Sequence, residues 1–227
     1  MYSHFKHPFT MILAGPSMSG KSTFLKNVLK NKNVMFNVKF KKIIWCYSET
    51  TARPNISGVT FYKGIPTEFP NFQNEKTLIV LDDLMSDAYN ATISELFTKG
   101  SHHRNTSVIL VTQNLFHQTA HSRNISLNAK YIILFKNPRD KQQFSFLSRQ
   151  IYPENPKDLL RVYNEVMQAP HAYFIIDLTQ DCHEFLRFKT DIFQQQYLAV
   201  CYANLNQNDN EEIETIAGEQ AHVICVK

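Results

Sequence analysis

Eight residues near the start of the chain carry the strongest chemical signal. Gly15-Pro16-Ser17-Met18-Ser19-Gly20-Lys21-Ser22 sets two glycines, a lysine and a hydroxyl at the spacing G-x-x-x-x-G-K-[ST]. A loop that wraps a phosphate chain must turn sharply and aim successive backbone N–H groups inward. Gly15 and Gly20 permit that close approach. A helix that follows adds the positive end of its dipole. Lys21 is then expected at the β- and γ-phosphates of ATP, and the Ser22 hydroxyl, followed by Thr23, on Mg²⁺. The chain has only six glycines, so two of them in one eight-residue pattern argue against an incidental turn.

A second group lies further along. Leu78-Ile79-Val80-Leu81-Asp82-Asp83 is an apolar run ending in two carboxylates. At a strand end beside the phosphate loop, Asp82 would hold Mg²⁺ through water and Asp83 would polarise the attacking water. A third strand end, Thr112-Gln113-Asn114, supplies a polar tip. Gln113 there can sense the γ-phosphate and help orient water. No Asn-Lys-x-Asp is present to read guanine, and Phe135-Lys-Asn-Pro-Arg-Asp140 has the wrong order. A nucleoside kinase needs no carboxylate directly after the Mg²⁺ acid. The acid at Asp83 with Gln113 favours water as the acceptor, hence ATP hydrolysis coupled to motion.

The elements that must position these groups are legible as apolar periodicity. Short apolar runs predict strands over 9–14, 42–47, 59–62, 77–81, 107–112 and 131–135. Phe24, Leu25, Val28 and Leu29 share one face of a helix over 21–32. A second helix is expected over 87–99, with Gly100 as its stop. Asn137-Pro138 and Asn155-Pro156 each read as a helix start, for helices ending near 151 and 167. The apolar 172–178 and the alternating 185–192 predict a C-terminal β-hairpin. Buried strands separated by helices imply an α/β fold, a mainly parallel central sheet with helices on both faces.

Composition bounds the rest. With 227 residues and 43% hydrophobic content, the chain can bury a core without staples. Its apolar runs of five to six residues fall far short of the ~20 that span a bilayer, so no membrane partner is expected. The N-terminal residues lack the layout of a signal peptide, and the four Asn-x-Ser/Thr triplets read as chance. The four scattered cysteines suggest free thiols in a reducing compartment. The net charge of +4 is uneven: residues 201–227 hold five acids and one lysine, which leaves +8 on residues 1–200. The expected organisation is an ATPase domain over 1–200 and an acidic, disordered tail over 201–227. Lys39, Lys41 and Lys42 form a basic cluster. His102, His103, His117 and His121 have no cysteine or acid to complete a zinc set.

Residues 15–23, Leu81-Asp82-Asp83-Leu84-Met85, and His102-His103-Arg104-Asn105-Thr106-Ser107-Val108 running into Thr112–His117 together resemble viral genome-packaging ATPases of the FtsK–HerA superfamily. The likeness is greatest to those of polinton-like and adintovirus-like elements. It extends over roughly residues 8–180 and includes Ser126–Ala129 and Phe135–Asp140. It implies a P-loop NTPase of the additional-strand, catalytic-acid type. It further implies a homo-oligomeric ring, hexamer or pentamer, that pumps double-stranded DNA into a capsid with a capsid or portal protein as partner. The location implied is intracellular in the infected host, in nucleus or cytoplasm, or within the virion. The superfamily usually has Glu where this chain has Asp83. A ring also implies an arginine supplied in trans to the γ-phosphate, with Arg104 the first choice and Arg123 the second. A helicase or conjugation-type DNA pump of the same superfamily shares this chemistry. A nucleotide-gated scaffold with little turnover and a small-molecule kinase are the readings from other classes.

Overall fold

β1 (Thr10–Ala14), β2 (Lys42–Tyr47), β3 (Thr60–Lys63), β4 (Thr77–Asp82) and β5 (Thr106–Thr112) form where the apolar runs lie. The computed structural model describes residues 5–48, 56–66, 75–84, 91–100, 105–116, 121–193, 197–201 and 221–225. The chain divides into two units, Met1–Tyr131 and Ile132–Lys227.

In the first unit the strands run in the order β1-β5-β4-β2-β3, and every neighbouring pair is parallel. β1, β4 and β5 are buried at every position. Their unbroken apolar character is what a sheet covered on both faces demands. The register matters most for function. Ala14 pairs with Thr112, and Asp82 pairs with both Val111 and Tyr47. The C-terminal ends of β1, β5, β4 and β2 are therefore level along one edge.

Helix α1 (Lys21–Lys30) buries Phe24, Leu25, Val28 and Leu29, the face read from periodicity. A short α2 (Lys32–Met35) follows. Of the helix expected over 87–99, residues 85–90 lie outside the described set. The remainder is α3 (Ala91–Glu95) continued by a π-helical turn, Leu96–Gly100. α4 (Ser122–Leu127) is the last helix of this unit among the described residues. Phe5, Phe9, Phe36 and Tyr131 pack as an aromatic cluster with ring centroids 5.1–6.2 Å apart.

The second unit has the strand order β6 (Tyr131–Phe135), β7 (Tyr173–Asp177), β8 (Phe188–Thr190), β9 (Tyr197–Cys201) and β10 (Ala221–Cys225). The hairpin expected near the end is present: β7 and β8 are antiparallel, with Ile175 opposite Lys189. β8 and β9 are also antiparallel, whereas β9 and β10 are parallel. Residues 221–225, within the stretch read as a tail, are thus extended and paired. Helix α5 (Gln142–Ile151) and helix α6 (Pro156–Val166) stack through Phe144 and Tyr163, whose rings lie 3.8 Å apart.

The two Asn-Pro signals have different outcomes. Asn155-Pro156 opens α6 as expected, with Pro in the first turn, although the Asn155 side chain donates to Asp158 and caps no amide. Asn137-Pro138 does not open α5, which begins at Gln142. The Asn137 amide oxygen accepts from the N–H groups of Arg139 and Asp140, closing a local turn. Asp140 then accepts from the Gln142 N–H and takes over the start. Cys46 and Cys182 are free thiols. Among the described residues no helix is long and apolar enough to cross a membrane.

Candidate phosphate-binding and hydrolytic site

β1 delivers the loop to the level edge of the sheet. The Gly15 N–H donates to the Thr112 carbonyl at 3.2 Å, which ties the loop to the tip of β5. The loop then rises through Ser17 and Met18. Met18 has φ 61° and is 93% exposed, the outermost point of the turn. Gly20 returns the chain to α1 with φ 106°, a conformation that glycine adopts without the Cβ penalty. Its carbonyl accepts the Phe24 N–H, the first bond of the helix.

Inside this turn two side chains have no ordinary surface role. Lys21 is only 8% exposed, and its Nζ donates to the carbonyls of Gly15, at 2.5 Å, and Pro16, at 2.8 Å. Burial pulls its ammonium below the usual lysine range, while the charges of Asp83 and Asp82 oppose that shift. Ser19 is buried too, and among the described residues its Oγ is a buried side-chain oxygen with no hydrogen-bond partner. Such an atom costs free energy unless something else satisfies it. An anion in the loop would do so. Ser22 and Thr23 stand exposed on the first turn of α1.

β4 ends beside this loop. Asp82 is 2% exposed, and its Oδ2 accepts the indole N–H of Trp45 at 3.2 Å. Burial pushes its carboxyl above the ordinary range. The Trp45 hydrogen bond opposes that shift, the neighbouring Asp83 charge adds to it, and Lys21 and Lys26 oppose it. These couplings bring Lys21, Asp82 and Asp83 into one electrostatic unit. Asp83 turns out of the strand at φ 50°, a conformation Asp tolerates better than most side chains. Its N–H donates to the Val111 carbonyl at 3.3 Å. Its Oδ1 accepts from Gln113 Nε2 at 3.4 Å. The second acid and the polar strand tip, paired in the sequence reading only by role, are in contact.

Arg104 lies outside the described residues, as do His102, His103 and His117. Asn105, the next residue, precedes β5 at the sheet edge opposite the loop. Eight residues of extended chain, about 25 Å, separate it from Gln113. Arg123 is exposed on α4. Lys39 and Lys41 are exposed at the entry to β2, the end away from Asp82.

No local signal in the sequence marks Trp45 as part of the site. It sits in an unbroken apolar strand, where an indole reads as packing. The presence of a buried carboxylate within reach was the signal, and only strand order reveals it. Ser19 belongs to the loop motif, but nothing local marks its hydroxyl as enclosed.

The geometry is that of a P-loop NTPase fold, with the added strand β5 lying between the loop strand β1 and the acid strand β4. Similar solved structures are at low identity. The genome packaging NTPase B204 from Sulfolobus turreted icosahedral virus 2, in complex with ATP-gammaS, is 17% identical. It aligns over 80% of this chain and 96% of its own, with a TM-score of 0.49. EccC of Thermomonospora curvata (ATPases 2 and 3, with a signal sequence peptide) is 11% identical over 60% of this chain and 31% of its own, at a TM-score of 0.40. The ATPase DotB of Legionella pneumophila is 12% identical over 56% and 40%, at 0.34. No protein-family model and no curated protein matches the chain.

Proposed function

We propose that this chain is an ATP-hydrolysing motor that moves double-stranded DNA into a viral capsid. The observation that carries the ATPase part is the convergence of a buried lysine, an unpartnered buried hydroxyl, two carboxylates and an amide on one sheet edge. The packaging part rests on the motif resemblance, above all His102–Val108 running into Thr112–His117.

In this reading Lys21 exchanges the carbonyls of Gly15 and Pro16 for β- and γ-phosphate oxygens. Ser19 Oγ and the amides of the turn take the remaining oxygens. Ser22 and Asp82 would hold Mg²⁺, which supplies charge neutralisation on the phosphates when bound. Asp83 accepts a proton from the attacking water, whose oxygen bonds to the γ-phosphorus as the bond to the bridging oxygen breaks. Asp83 is one methylene shorter than Glu, and the Gln113 amide beside it extends the pair toward that water. The motif resemblance makes Arg104 the first choice of an arginine that would act on a neighbour's nucleotide. Such a donor needs a ring, which the resemblance implies, with Arg123 as the second choice. DNA would be gripped through its phosphates, without regard to sequence.

The test is ATP hydrolysis by the assembled protein, with and without linear duplex DNA, beside Lys21→Ala. Stimulation by duplex, and loss of nucleotide binding in Lys21→Ala, is the expected result. Hydrolysis by the assembled ring that duplex leaves unchanged would count against a DNA motor. Nucleotide binding that survives Lys21→Ala would overturn the site itself.

A further inference from the structure

We infer that Trp45 is a positioning residue, whose indole N–H fixes the Asp82 carboxylate for magnesium. The inference rests on the proposed role of Asp82 as the metal acid.

The geometry is specific. β2 and β4 are parallel, with Trp45 opposite Val80 and Tyr47 opposite Asp82. Side chains two apart on a strand share a face, so Trp45 and Asp82 are diagonal neighbours on one face of the sheet, within reach of a long side chain. The indole bridges that diagonal, with Nε1 3.2 Å from Oδ2. Trp45 is 1% exposed, and Phe61, its partner on β3, packs against it with ring centroids 5.8 Å apart. The ring therefore has little freedom to turn away.

An indole can only donate. It is satisfied by an acceptor such as an ionised carboxylate, and it brings no charge that would repel a cation. A lysine at this position would neutralise Asp82 instead. By engaging Oδ2, the indole leaves Oδ1 as the oxygen to face a metal. Partners of this kind orient metal-binding carboxylates, and their loss typically costs about 10–100-fold in metal affinity or activity.

Trp45 is the single tryptophan of the chain. Biosynthetic replacement of tryptophan by β-(3-benzothienyl)alanine thus exchanges N–H for S at this one place while keeping the bicyclic ring. Trp45→Phe is the second variant, and thermal melts verify that each is folded. The measurement is calorimetric titration with ADP, with and without Mg²⁺, so that the ratio of the two affinities isolates the metal's contribution. The expected result is a ratio at least about tenfold smaller than in the wild type, with magnesium-free ADP affinity unchanged. An unchanged ratio in a folded variant, with the ratio lost in Asp82→Asn, overturns the positioning role alone. A ratio retained in Asp82→Asn overturns the metal assignment of Asp82, and the role of Trp45 with it.

Discussion

Asp82→Asn should raise the stability of the protein while removing its use of magnesium. The carboxyl is buried to 2% exposure, and that burial pushes it above its ordinary value of 3.8. A carboxyl that holds its proton more tightly when folded than when unfolded costs stability wherever it is ionised. The cost is absent below 3.8 and grows as pH rises through the folded value. Each unit of separation is worth about 1.4 kcal/mol. Asparagine retains the shape and an oxygen for the Trp45 N–H, and removes the charge. We expect the variant to be the more stable at pH 7.5 and to melt at a higher temperature. The gap should close as pH falls toward 4, where both forms are neutral at this position. Differential scanning calorimetry of the nucleotide-free protein across pH provides the assay. In the same instrument, magnesium–ADP at about one hundred times its Kd should stabilise the wild type by about 2.7 kcal/mol, and the variant by far less. A variant that melts below the wild type at pH 7.5, or a gap that acidification leaves intact, would refute the argument.

Ser19→Ala removes a buried hydroxyl that has no partner among the described residues, so nucleotide-free stability should be unchanged or rise by about 1 kcal/mol. ADP affinity should fall by at least about tenfold, the lower end of the worth of a hydrogen bond to a charged oxygen; equilibrium binding that stays the same removes Ser19 from the cradle. At the other sheet edge, His7 Nε2 donates to Asn105 Oδ1 at 2.8 Å, while Nδ1 accepts from the Ser107 hydroxyl at 2.7 Å. Burial lowers its pKa below 6.5, with the Asn105 hydrogen bond opposing and Lys76 and Lys130 assisting. The neutral ring is favoured, so wild-type stability should decline as pH falls through 6.5 toward the depressed value. His7→Gln should flatten the Tm profile between pH 7.5 and 5, and equal slopes for the two proteins would contradict this assignment.

Much of the fold was legible because its signals are local. The apolar runs of β1, β4 and β5 mark strands covered on both faces, and each formed within a residue of the expected bounds. The same locality misled at Asn137-Pro138. The pair carries a helix-start signature, yet an asparagine side chain can close a turn on its own next amides as readily as it caps a helix, and here it does. Of the candidate site, the loop from Gly15 to Ser22 and the acids Asp82 and Asp83 are visible in the sequence because each is a contiguous string.

The sequence by itself determined the candidate groups: two glycines, an ammonium, hydroxyls and two adjacent carboxylates, at spacings set by the covalent chain. Only the tertiary structure decided how they meet. The placement of β5 between β1 and β4, and a register that levels Ala14 with Thr112 and Val111 with Asp82, bring Gln113 to Asp83 across thirty residues of chain. The same pairing brings Trp45 to Asp82 across thirty-seven. The physical reason is that strand order and register follow from the packing of whole faces against one another. No residue's own propensity encodes its partner on another strand, so a buried indole reads as core until the carboxylate beside it is seen.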